Sequence, residues 1–200
     1  MEASFFTRHP RLKDAFSLAW LAALVLVGTL LINAFIFRSF SVTGPSMEET
    51  LHTGERLIVN RVPVTTAHAQ NKSYVPKRGD IIVFENPKYV EGQPDRYIVK
   101  RVIAFAGEHV VVADGKITVY NSENPNGFNP DDSAKVGHPK SPSTGEKDMI
   151  VPDDEIFVAG DNRIGSYSYD SRNDLGTVPY SNIVGPVALR IWPLNKFTVF

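Results

Sequence analysis

Residues 97–105 read YIVKRVIAF. Aliphatic and aromatic residues dominate, so the stretch reads as a strand. Side chains two apart share a face of a strand. Lys100 therefore lies with Ile98 and Val102, and Arg101 with Val99 and Ile103. Both faces look buried, yet each carries a cation. An edge strand whose lysine snorkels to water would explain this. So would a lysine held in an apolar site, where desolvation disfavours the ammonium form and lowers its pKa. Such an amine could serve as a base near neutral pH.

On either side the signals are again mostly β. SFSVTG (39–44) alternates weakly, and RLIVNRV (56–62) is rich in β-branched residues. RGDIIVFENP (78–87) is a short apolar run between Gly and Pro, while EIFVAG (155–160) and IVGPVALRIWP (183–193) continue the pattern. VVVADGKITVY (110–120) predicts a hairpin, with Asp114-Gly115 suited to its tight turn. MEETLHTG (47–54) hints at a short helix stopped by Gly54. Residues 121–148 are crowded with Pro, Gly, Asn and Ser and read as a loop-rich excursion, not a second core.

Ahead of these strands stands AFSLAWLAALVLVGTLLINAFIF (15–37), which contains no charged residue. As a helix its 23 residues reach about 34 Å, enough for a hydrocarbon core of about 30 Å. A cleavable signal peptide would have a shorter apolar core and a small-residue cleavage site, and FRSFSVTGPS offers none. A single permanent transmembrane helix is expected. Arg8, Arg11 and Lys13 precede it, against Arg38 and Arg56 soon after. The positive-inside rule then places residues 1–14 in the cytoplasm and 38–200 outside it. The expected fold is mainly β: an N-terminal transmembrane helix, then an antiparallel β-rich extracytoplasmic domain with the long excursion.

Composition narrows the chemistry. The net charge of −1 provides no basic field for nucleic acid. The absence of cysteine removes disulfides, thiolate zinc sites and thiol nucleophiles. The five histidines have no metal-ligand spacing, so neither a metal nor a cofactor is expected.

GPSMEETL (44–51) supplies a serine with two readings. Ser46 and Glu49 form the S-x-x-E of a capping box. Ser46 could also be a nucleophile. That needs a base, and no histidine sits in a suggestive context, so lysine is the candidate partner. A Ser46–Lys100 dyad is chemically coherent. GDNRIGSYSYDSR (160–172) adds Ser168, Asp170 and Arg172, either a polar loop closed by an ion pair or a support for that dyad.

In this order, the anchor, GPSMEETL, RGDIIVF, YIVKRVIAFAGE, GDNR with SYDSR, and VPYSNIVGPV resemble the bacterial type I signal peptidases, Ser/Lys serine endopeptidases. The resemblance runs from Ser41 to Pro193 apart from 121–148. It implies Ser46 as the acylated nucleophile and Lys100 as general base. The Ser46 N–H would form part of the oxyanion hole. Some members add a hydroxyl two residues before the nucleophile, where this chain has Gly44. Ser168 would bond the lysine amine, Asp170 and Arg172 would pair, Arg101 would stand nearby, and Met47 would pack near the substrate pocket. The family usually has Pro where this chain has Glu49, and the spacing from GDN to SxDSR is about two residues longer here.

The implied reaction is removal of signal peptides from exported preproteins, after small-x-small sequences, at the membrane surface. The preprotein and the bilayer would be the partners of a monomer in the cell membrane. Two alternatives stand beside it. One is a non-catalytic membrane-tethered β-domain that binds extended peptides. The other is a Ser/Lys hydrolase of related fold such as the self-cleaving repressors, which lack an anchor.

Overall fold

The computed structural model describes residues 10–139 and 142–200. The chain opens with helix α1 (Pro10–Phe35), of which Arg11–Phe35 is long and apolar enough to cross a membrane. Its uncharged part, Ala15–Phe35, spans about 32 Å. The helix stops two residues before the expected end. Arg61 N–H donates to the Ile36 carbonyl (2.8 Å) and Thr65 Oγ1 to the Phe35 carbonyl (2.9 Å), so groups of the folded domain take the last carbonyls of the helix. At the other end, Arg11, Lys13 and Asp14 lie within α1. The remainder of the expected cytoplasmic segment, residues 1–9 with Arg8, lies outside the described residues.

Strand β1 (Phe37–Ser41) follows, then β2 (Arg56–Asn60), helix α2 (Val62–Ala69), β3 (Ile81–Glu85), β4 (Tyr97–Phe105), β5 (His109–Ala113) and β6 (Lys116–Tyr120). The chain continues through β7 (Lys147–Ile150), β8 (Glu155–Ala159), β9 (Val178–Pro179), β10 (Ile183–Trp192) and β11 (Thr198–Val199). Eight strands form an antiparallel sheet in the order β1-β2-β10-β3-β4-β8-β9, with β11 against β10. A smaller sheet has the order β6-β5-β7. The fold is therefore mainly antiparallel β behind one apolar helix.

RLIVNRV does not run on as a strand. Asn60 ends it, its Oδ1 accepts from Val62 N–H (3.0 Å), and Pro63 enters the first turn of α2. A proline in the first helical turn lacks only an N–H that would be unsatisfied there. The expected helix within 47–54 does not form either. Ser46 C=O, which would accept its first hydrogen bond, instead accepts from Asn162 N–H (3.1 Å), and Thr50 N–H turns back to Met47 C=O (2.8 Å). Residues 46–50 are successive turns, too few to nucleate a helix once that bond is diverted.

Strand β4 lies between β3 and β8, so it is not an edge. Its register sets Lys100 opposite Ile82, and Arg101 between Ile81 and Ala159. One core cluster includes Ile82, Phe84, Ile98, Val102, Ile156 and Val158. A second gathers Met47 and Leu51 of the turns with Leu57, Val59, Ile81 and Val83. The third joins the small sheet to Ile103 and Phe157, and Phe128 of the excursion packs on it.

Candidate active site

The turns after β1 bring Ser46 against β4. Lys100 Nζ lies 2.8 Å from Ser46 Oγ and 2.8 Å from the Val99 carbonyl. Residues 54 apart in sequence thus meet because β1 and its turns wrap back over the middle of the sheet. Lys100 is 3% exposed. Burial lowers its pKa from the ordinary lysine value to about 8; Asp170 pulls upward and Arg172 downward. The snorkelling alternative needs a lysine tip in water, and this one is enclosed. The capping reading needs a helix after Ser46, and turns stand there.

Gly160 ends the β8 side of the site. A Cβ there would run into the Ser46 carbonyl and the Ser168 hydroxyl, so the absence of a side chain lets the two segments touch. Asp170 organises the next layer. Its Oδ2 accepts from Ser168 Oγ (2.5 Å), Gly160 N–H (2.8 Å) and Arg172 Nη2 (2.8 Å). Its Oδ1 accepts from Arg172 N–H (3.0 Å) and Arg172 Nε (3.1 Å). The expected Asp170–Arg172 pair is present and buried. Ser168 is oriented differently from expectation: its hydroxyl donates to Asp170, and the described bonds of Lys100 go to Ser46 and Val99. The ionised carboxylate two residues on is a strong acceptor for that hydroxyl, since a charged partner makes a shorter and stronger bond than a neutral one.

Arg101 points to the opposite side of β4 and is 1% exposed. Its Nε and Nη2 donate to both oxygens of Asp161 (2.7 and 2.5 Å), and Nη1 to the Gly79 carbonyl (2.8 Å). Asp161 also accepts from Thr50 Oγ1 (2.5 Å), which ties the pair to the turn carrying Ser46. The excursion contributes here as well. The Val136 carbonyl accepts from Arg101 Nη2 (3.0 Å), and Asp131 pairs with the buried Arg163 (2.6 Å). Residues 121–148 therefore neutralise or satisfy two buried arginines beside the dyad.

Sequence reasoning missed Asp161, Asp131 and Asn162. Asp161 and Asn162 stood in the quoted GDNR stretch, and a cation predicted on a buried face was the signal that an acid must lie nearby. Asp131 carried no comparable signal.

A cleft of about 510 Å³ opens over the dyad. Phe40, Val42 and Gly44 line one side, and Tyr97, Ile98 and Val99 another, with Tyr167, Tyr169 and Asp95 also at its wall. Ser46 and Lys100 are both within it. Met47, expected near the substrate pocket, does not line the cleft and is buried in the second core cluster.

Residues 14–192 match the family model for signal peptidase, peptidase S26. Signal peptidase I T of Bacillus subtilis (strain 168) is 33% identical over 187 residues, covering 90% of this chain and 87% of that protein. Signal peptidase I P of Bacillus subtilis subsp. natto is 34% identical, with 89% and 88% covered. Signal peptidase I of Leptolyngbya laminosa is 34% identical, with 82% and 73% covered.

Proposed function

Because this chain belongs to the signal peptidase family, peptidase S26, and is thereby a serine endopeptidase that removes signal peptides, we propose that Ser46 is its acylated nucleophile and Lys100 its general base. The observation that carries this is the 2.8 Å approach of Lys100 Nζ to Ser46 Oγ. A neutral amine at that distance can accept the hydroxyl proton as Oγ attacks the scissile carbonyl carbon. The ammonium so formed returns the proton to the leaving amine as the C–N bond breaks. Water, deprotonated by the same amine, then hydrolyses the acyl-enzyme. Ser46 N–H has no hydrogen-bond partner among the described residues and is the donor for the oxyanion. Gly44 supplies no hydroxyl. Ser168, Asp170, Arg172 and Arg101 support the dyad, and Met47, next in sequence to Ser46, packs in the second core cluster.

Specificity follows from the cleft. β1 is the edge of the large sheet, and its continuation lines the cleft opposite β4. An extended preprotein can lie there as an added strand. The apolar side chains of Phe40, Val42 and Val99 at the cleft wall support a preference for small-x-small sequences before the cleaved bond. Cleavage of such a preprotein by the full chain in detergent–phospholipid micelles tests the reading. The rate is expected to rise about tenfold per pH unit up to about 8 and then flatten, since only the unprotonated lysine is a base. A flat profile between about pH 6 and 9 would show that a different group takes the proton.

α1 leads straight into β1, and this short connection supports a cleft close to the membrane surface. The charges ahead of the apolar run support an orientation with the N-terminus in the cytoplasm and the β-domain outside. Protease added to intact spheroplasts should digest the β-domain. Protection until lysis would reverse the orientation.

A further inference from the structure

The segment between β1 and Ser46 leaves the sheet after Val42, whose N–H donates to the Glu55 carbonyl and whose C=O accepts from Gly54 N–H (2.9 Å each). Two residues later Gly44 takes a left-handed conformation, φ +87°. Nothing lies within 4 Å of where its Cβ would stand, so packing does not hold it. Pro45 has its φ fixed by its ring. The backbone freedom just ahead of the nucleophile is therefore concentrated at Gly44, the residue type with most freedom to lose.

One side chain holds both peptide groups of that glycine. Gly44 N–H donates to Thr53 Oγ1 (3.1 Å), and the same hydroxyl donates to the Gly44 carbonyl (3.3 Å). Thr53 is presented by a turn that is itself anchored. Next to Gly54, the buried Glu55 carboxylate accepts from Arg190 Nη1 (3.0 Å), which also donates to the Thr50 carbonyl (2.9 Å). Both ends of the 42–55 segment are thereby tied, and the Thr53 hydroxyl bridges it near the nucleophile.

We propose that Thr53 is a positioning residue for the cleavage reaction: its hydroxyl locks Gly44 so that Ser46 Oγ and Ser46 N–H converge on the scissile carbonyl. It acts through Gly44 and touches no reacting atom. With the Gly44 N–H engaged by Thr53, the Ser46 N–H carries the oxyanion, and its direction is set through Pro45 by the two Gly44 peptide groups that Thr53 fixes. The inference rests on Ser46 being the nucleophile.

The test compares wild type, Thr53→Val, Thr53→Ser and Ser46→Ala as full chains on a preprotein in micelles. Valine keeps the shape and removes the hydroxyl, and Thr53 is exposed, so the variant should fold. Misplacing a reacting group by a fraction of an ångström is expected to lower kcat about 10- to 100-fold, with KM changed less than about twofold. The pH midpoint and the Tm should stay at wild-type values, and Thr53→Ser should recover kcat to within about threefold. Full kcat in Thr53→Val overturns the proposal. So does Thr53→Ser impaired as badly as Thr53→Val, a loss confined to KM, or a fall in Tm that accounts for the lost rate. An inactive wild type or an active Ser46→Ala overturns the dyad itself and this inference with it, and neither result can be confused with an unaffected Thr53→Val.

Discussion

Preprotein cleavage by Ser46→Ala is expected to fall on the order of 10⁵-fold below wild type, and Lys100→Ala to fall about as far. That is roughly 7 kcal/mol of transition-state stabilisation, larger than any other single substitution here should remove. In the proposed mechanism the two groups act as one unit. Without Ser46 no acyl-enzyme can form, and without Lys100 the hydroxyl keeps its proton at neutral pH. The double variant should therefore be no worse than either single one, because the second deletion removes nothing the first has left working. Lys100→Met separates chemistry from folding. Methionine fills the place of the aliphatic stem among Ile98, Val102 and Ile82 without a desolvated amine. Its Tm should match or exceed that of wild type while cleavage is lost. Turnover by Lys100→Met within about tenfold of wild type would remove Lys100 from the mechanism.

Much of the fold can be read from the strands because their apolar runs are short and bounded by turn residues. β4 matches YIVKRVIAF residue for residue, and Asp114-Gly115 turns β5 into β6 as expected. The elements that escaped reading depend on partners distant in sequence. β7 is KDMI, at the tail of a polar excursion, and only its pairing with β5 makes it a strand. α2 is VPVTTAHA, short and rich in β-branched residues; the Asn60 side chain and the buried Val64 hold it in place. The turns at 46–50 follow from Asn162 capturing the Ser46 carbonyl, a contact over more than a hundred residues. At the site, YIVKR shows that a cation must be buried. It does not show which acid answers it, because Asp161 and Asp170 lie in one polar stretch with no periodicity to sort them. The structure assigns Asp161 to Arg101 and Asp170 to Arg172.

That assignment makes Asp161 the largest expected stability effect. Its carboxylate is buried and accepts two bonds from Arg101 and one from Thr50. Asp161→Ala would leave the Arg101 guanidinium, 1% exposed, without a counter-charge. Breaking a buried pair from one side costs about 3–5 kcal/mol, because the remaining ion keeps its desolvation penalty and loses its partner. For a chain of this length that lowers the Tm by about 6–20 °C. Asp161→Asn should fall between, since an amide keeps one acceptor for Arg101 but no charge. Pairing Asp161→Ala with Arg101→Met removes both ions, and much of the lost Tm should return. Activity should not return with it. The bond from Thr50 to Asp161 fixes the turn four residues after Ser46, and the double variant leaves the Thr50 hydroxyl without that acceptor. A double variant restored in Tm but still slow would place Asp161 in both the fold and the alignment of the nucleophile. One restored in both would confine it to neutralising Arg101.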